Sequence, residues 1–185
     1  MPRAGLSSPA VVDIAIEIID TQGQEALSLS SVAARAGVAP PSLYKHVGSL
    51  ADLRAMVAAR VLDEMTEAMT SAVIGLSGDA AITTLMRRMR QYAVEHPSRY
   101  LAVPADPVHD PALEEPATRF LGVFFAVLRS YDLEGPAAVH AVRLLRVIVH
   151  GFTSIESSGG FGLTEKPAET YEALIQMYLA TLPRR

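Results

Sequence analysis

The chain has 185 residues, half of them hydrophobic, no cysteine and a formal net charge of −4. Without cysteine there is no disulfide or thiolate chemistry, which fits a reducing cytoplasm; the acidic balance excludes a coat for nucleic acid, a role in which phosphate neutralisation dominates. Charges punctuate every apolar run, so no stretch approaches the uninterrupted length of a bilayer span, and MPRAGLSSPA is too short and polar for a secretory signal.

The length allows one good core or two small ones, and the predicted elements are helices throughout, with no alternating strand pattern. Ser8 reads as the cap of the first helix, Pro9 as its first position and Gly23 as its stop. Val11, Ile14, Ala15, Ile18 and Ile19 form its inner face, while Asp13, Glu17 and Asp20 point to water. Arg3, in the arm before it, is placed to reach an adjacent groove, or belongs to a disordered terminus.

From Ser28 to Val47 the chain reads SLSSVAARAGVAPPSLYKHV. Leu29, Val32, Ala33 and Ala36 recur at helical spacing up to Gly37, and Leu43 and Val47 form a second short apolar set beyond it. Gly37 falls where one helix ends and the chain reverses, a place for the left-handed backbone that glycine adopts cheaply. The small Ala33 and Ala36 let the second helix cross closely, so the pair reads as a helix-turn-helix. Pro40 and Pro41 occupy the first turn of that second helix. Ser42, Tyr44, Lys45 and His46 are four hydrogen-bond donors able to meet base edges and phosphates in a major groove. Alone, Tyr44 would read as partly packed inward and Lys45 as a solvated charge. Ser49 with Asp52 makes a capping-box variant that starts the next helix.

The run VAARAGVAPPSLYKHVGSLADL resembles the TetR (tetracycline-repressor) family of bacterial regulators, with the Ala-Gly-Val corner, the Leu-Tyr-x-His of a recognition helix and a Leu before a long fourth helix. The resemblance implies that Ser42, Tyr44, Lys45 and His46 face DNA, with Pro41 near a thymine methyl or the backbone. It also implies that Ser28 and Arg35 approach phosphates. Two positions depart from the family pattern: Leu50 stands where many members carry a phosphate-gripping lysine, and Ala39 stands where a serine or threonine caps the recognition helix. Over the first sixty residues Arg3, Arg35, Lys45, Arg54 and Arg60 balance Asp13, Glu17, Asp20, Glu25 and Asp52, so the head is neutral.

The fourth helix is predicted from Leu50 to about Ile74, with Leu53, Val57, Val61, Met65 and Met69 in one stripe, long enough to act as a lever between head and body. Ile82, Leu85, Met86, Met89 and Tyr92 line one face of the next helix, and Arg87, Arg88 and Arg90 read as its solvated face. Pro104, Pro107, Pro111 and Pro116 mark a loop with one helical turn around Arg99 to Leu101. Phe120, Leu121, Phe124, Phe125 and Leu128 give the following helix a thick apolar face. A helix from about Ala137 to Ser158 is apolar nearly all round, and a last one runs from about Pro167 to Leu182. In so small a body that points to a second subunit. Leu144, Val147, Ile148, Gly151, Phe152 and Ile155 of the one, with Tyr171, Leu174, Ile175 and Tyr178 of the other, are the expected halves of a four-helix dimer interface. Phe161 is the anchor of the GGFGL linker between them. LRVIVHGFTSIESSGGFGL resembles the Trp-His-Gly type of TetR ligand-binding domain, with Val149 in place of the tryptophan and His150-Gly151 kept.

Catalysis has little to build on. His96, His109, His140 and His150 are scattered; Asp106, His109 and Asp110 lie in a proline-rich loop without the spacing of a metal pair, and no phosphate loop, dinucleotide fingerprint or nucleophile elbow occurs. No enzyme, metal or cofactor is expected. The reading is all-α: a three-helix helix-turn-helix head over 1–48 on a helical ligand-binding and dimerisation body over 49–185, about nine helices in all. It would be a cytoplasmic homodimer on palindromic double-stranded operator DNA, by default a repressor, with half-sites about 34 Å apart. A small, mostly apolar effector would release it, lined by Met86, Met89, Tyr92, Phe120, Phe124 and Arg143, with Tyr100 near a mouth; each also reads as plain core. A dimeric small-molecule-binding or scaffolding protein whose head has lost DNA affinity is the alternative, favoured by Leu50 and the neutral head.

Overall fold

A computed structural model describes residues 6–184. Among them every regular element is helical: α1 (Ser8–Gln22), α2 (Leu29–Ala36), α3 (Leu50–Val73), α4 (Gly78–Glu95), α5 (Pro97–Ala102), α6 (Glu114–Leu128), α7 (Gly135–Ser157) and α8 (Pro167–Thr181), with short 3-10 segments at Gln24–Ala26, Pro40–Lys45 and Arg129–Tyr131. Arg3 lies outside the described residues.

Packing gathers the chain into two compact units, Met1–Glu64 with His96–Thr118, and Met65–Glu95 with Arg119–Arg185. Residues 49–64 and 96–118, placed by the expected boundary at 48–49 in the body, fall in the compact unit that holds the helix-turn-helix. Arg99 of α5 donates from Nε to both Asp20 oxygens at 3.0 Å and from Nη1 to Glu64 at 3.0 Å, and Gln24 donates to the Ser98 carbonyl at 2.9 Å. Asp20 and Glu64 hold the Arg99 guanidinium above its ordinary range against the opposing effect of burial.

In the first unit α1 buries Val11, Val12, Ala15, Ile16, Ile18 and Ile19. Its cap is Ser7, whose Oγ accepts from the Ala10 N–H at 3.3 Å. Ser8, expected as the cap, is the first helical residue, and its hydroxyl donates to the His46 carbonyl at 3.3 Å. Gly23 closes the helix at φ 82°. Leu53, Val57, Ala58, Val61 and Leu62 of α3 are buried, completing the apolar stripe read from the sequence in this half of that helix.

The second unit packs α7 against α4 and α8. Tyr171 donates to the Met86 carbonyl at 2.7 Å and Tyr178 to the Ala141 carbonyl at 2.9 Å, satisfying both phenols in the interior. Phe152 lies between the tilted rings of Phe161 and Tyr171, each 4.8 Å away, so Phe161 anchors the linker. Two arginines of α4 are more than a solvated face. Arg90 lies 5.4 Å over Phe152 and 5.2 Å over Tyr171 and donates from Nε to Glu156 at 2.9 Å, while Arg87 forms a two-pronged pair with Glu172 at 2.6 and 2.7 Å. Arg87 holds the Glu172 carboxyl below the usual carboxylate range.

α7 is the one described helix long and apolar enough, by length and mean hydropathy, to cross a membrane. Arg143 and Arg146 interrupt it, and Ala138, Val142, Leu145 and Val149 are buried in the unit's own core. One side of the helix is core and the other, with Leu144, Val147 and Ile155, faces outward.

Candidate nucleic-acid interface

The geometry of the interface begins at the α2 caps. Ser28 accepts from the Ser31 N–H at 3.0 Å while Ser31 Oγ accepts from the Ser28 N–H at 3.0 Å, a closed capping box built from two serines. The Ser28 hydroxyl also donates to Ser31 Oγ at 3.0 Å, so its hydrogen is engaged within the cap. At the other end Gly37 takes φ 66°, ψ 33°. Its N–H reaches the Ala34 carbonyl at 3.2 Å and the Val38 N–H reaches the Ala33 carbonyl at 3.1 Å, the paired bonds of a Schellman turn.

The recognition segment, Pro40–Lys45, is a 3-10 helix rather than the α-helix expected. Pro40 and Pro41 bring no N–H, and Ala39 has no side-chain oxygen to cap the start, so six residues close on i to i+3 bonds such as Ser42 N–H to the Ala39 carbonyl at 2.9 Å. Leu43 and Val47 anchor it as fully buried side chains. Outward stand Pro41 and Lys45, with Tyr44 61% exposed; Ser42 and His46 are half-buried. Leu50 is half-buried in the first turn of α3, whose start is capped by Ser49 Oγ on the Asp52 N–H at 3.1 Å.

Arg35 is exposed, and its Nε donates to Glu17 of α1 at 3.2 Å. That pair belongs to a pattern the sequence does not reveal. The three acids of α1 each take an arginine from a different element: Asp13 takes Arg60 of α3 at 2.9 Å, Glu17 takes Arg35 of α2, and Asp20 takes Arg99 of α5. Periodicity places those acids on an outer face; only the tertiary fold supplies their partners. Among the described cations of this unit, Lys45 and Arg54 take part in no ion pair.

The residues expected around an effector differ in burial and in the unit they belong to. Met86, Met89, Tyr92 and Phe124 are interior side chains of the second unit. Phe120 is half-buried with its ring edge-on to Phe124 at 5.1 Å, and Arg143 is exposed. Tyr100 belongs to the first unit. A cleft of about 520 Å³ in the second unit is lined by Asp79, Tyr131, Gln176, Leu179, Leu182 and Arg184, none of them an expected ligand residue. There the Tyr131 hydroxyl donates to Asp79 at 2.6 Å, and burial and that carboxylate push the phenol above its ordinary range.

The expected interface residues fall into two sets. Leu144, Val147, Gly151 and Ile155 are exposed, and Ile148 and Leu174 are half-buried. Phe152, Tyr171, Ile175 and Tyr178, by contrast, are buried in the unit's own interior, where α7 packs against α4 and α8. Met177 at 54% exposure and Val139 at 36% join the outward set. The Asp106–His109 pair, 2.8 Å apart, is exposed on its loop, and among the described residues no three His, Asp or Glu side chains group as metal ligands.

A capped short helix, a left-handed corner and a buried-anchor segment presenting Tyr44 and Lys45 define a helix-turn-helix DNA-binding protein. Comparison with known proteins agrees. Residues 3–55 match the family described as bacterial regulatory proteins, tetR family, and residues 82–178 match the tetracyclin repressor-like C-terminal domain. The chain is 33% identical over 183 residues, 98% of its length and 95% of the relative's, to the uncharacterised HTH-type transcriptional regulator YobS of Bacillus subtilis (strain 168). It is 34% identical over 158 residues, 84% of its length and 72% of the relative's, to the uncharacterised HTH-type transcriptional regulator Rv0681 of Mycobacterium tuberculosis. Among solved structures, a protein of unknown function from Rhodococcus sp. RHA1 shares the fold with a TM-score of 0.83 at 17% identity, each chain covered in full. The chain belongs to the TetR family of transcriptional regulators, whose members are regulators rather than enzymes.

Proposed function

We propose that the protein is a cytoplasmic, effector-responsive repressor that binds a palindromic operator as a homodimer. What carries the reading is the pair Tyr44 and Lys45, exposed on a segment that the buried Leu43 and Val47 anchor from beneath. On this reading Ser42, Tyr44 and His46 meet base edges, Pro41 a thymine methyl or the backbone, and Lys45 and Arg35 phosphates; Ser28, its side chain spent on the cap, acts through the backbone N–H groups of the α2 start. The outward apolar residues of α7, with Met177 of α8, support a twofold contact between copies, and two copies double the few cations of each head. A small molecule in the body lowers operator affinity only if it prefers one of two states of the dimer.

The test is binding of the purified chain to duplex from upstream of its own coding sequence and to an unrelated duplex, at several salt concentrations. A regulator prefers its own site and loses affinity steeply as salt rises. Equal weak binding to both duplexes at every salt concentration would sink the reading.

A further inference from the structure

We propose that Glu17 competes with DNA phosphate for Arg35, so that the first helix carries a built-in brake on operator affinity; this rests on the DNA-binding reading above. The unit that holds the recognition segment is acidic. Residues 1–64 with 96–118 contain six Lys or Arg against eleven Asp or Glu, a net charge of −5 with histidine neutral, whereas the whole chain carries −4. The unit therefore offers duplex phosphate no net attraction, and binding depends on a few local cations.

Beside Lys45, Arg35 is a cation placed to serve, in the last turn of the first helix of the helix-turn-helix, the helix that crosses the backbone in this motif. Its side chain is 40% exposed, and Glu17, 61% exposed, holds its Nε at 3.2 Å. An ion pair this open contributes little stability, so nothing in the packing of the head requires it. Its consequence falls on DNA instead: a guanidinium already neutralised by a carboxylate displaces little of the counterion atmosphere, and an approaching phosphate must displace the carboxylate or lie beside it. Asp13, one turn earlier on the same face, makes the matching pair with Arg60 of α3 at 2.9 Å. It supplies the same charge without the same neighbour, which makes it the natural control.

The experiment uses full-length protein and fluorescence anisotropy with its upstream duplex and an unrelated one, across a salt series, for the wild type, Glu17→Gln, Asp13→Asn, Arg35→Gln and the Glu17→Gln/Arg35→Gln double variant. Melting curves confirm that each is folded. Glu17→Gln is expected to tighten binding to both duplexes about two- to fivefold and to steepen the salt dependence by about 0.9 per head. Asp13→Asn should gain clearly less, and Glu17→Gln should lose most of its gain in the Arg35→Gln background. Equal gains for the two acids would reduce the effect to net charge and overturn the proposal, as would weaker binding by Glu17→Gln, which would make Glu17 the holder that aims Arg35 at phosphate. If the wild type binds no duplex, the DNA reading itself fails; if it binds and Glu17→Gln binds no tighter, only the brake fails.

Discussion

Lys45 and Tyr44 are adjacent and exposed, yet they should contribute to DNA binding in different ways. A lysine ammonium facing phosphate releases counterions, so Lys45→Ala should weaken binding to every duplex and flatten the salt dependence by about 0.9 per phosphate lost. Tyr44 offers a hydroxyl and a ring rather than a cation. Tyr44→Ala should cost about 1–3 kcal/mol at the operator, narrow the preference over unrelated duplex and leave the salt slope unchanged. Anisotropy titrations against both duplexes across salt separate the two, and a steep slope retained by Lys45→Ala would remove that lysine from the interface. Exposure at 44 and 45 was legible from Leu43 and Val47, since burying those two turns their neighbours outward. The partners of Arg35, Arg60 and Arg99 were not, because each lies on another element and no local period encodes a tertiary ion pair.

At the scale of the element, helix ends were easier to read than helix faces. Gly37 was readable as a corner because the αL backbone it takes, φ 66°, has an ordinary sequence signal. Space around it is open, so Gly37→Ala should meet no clash and should destabilise the head only through its backbone, by about 1 kcal/mol in thermal or urea melts. Faces were harder. Apolar residues surround α7, and periodicity alone does not say which side its own chain covers; α8 supplies that answer by burying Tyr178 against the Ala141 carbonyl. Burial pushes the Tyr178 phenol up to about 12. The unfolded phenol loses its proton near pH 10, so the stability from a neutral Tyr178 is present in full below pH 10 and is lost as pH rises from 10 toward 12. Tyr178→Phe should cost about 1 kcal/mol at neutral pH, from the bond lost to Ala141, and should make the alkaline fall shallower. Urea melts at pH 8 and pH 11 check both parts, and an unchanged alkaline fall would assign it elsewhere.

For the whole molecule, the all-α class was legible in composition and period, but the grouping of residues 96–118 with the head was not. That grouping depends on Arg99 and Gln24 reaching across the chain to Asp20, Glu64 and Ser98, which no composition shift announces. The outward face of α7 raises the remaining question of assembly. Val147 is 69% exposed, and Leu144 and Ile155 about half, on one helix of a folded unit, which is the kind of apolar surface that marks association. Across a twofold axis a residue near the centre of such a face meets its own copy, so Val147→Arg should place two guanidinium groups against each other with no carboxylate between them. Because Phe152, Tyr171, Ile175 and Tyr178 are held inside the subunit, the variant should stay folded with unchanged helix content, and any loss can be assigned to the surface. Sedimentation at micromolar concentration should show a dimer for the wild type and a monomer for Val147→Arg. Operator affinity should fall by about 100-fold or more as the second head ceases to be tethered to the first. A Val147→Arg protein that still sediments as a dimer would move the association surface off α7, and a wild-type monomer with full operator affinity would make one head sufficient.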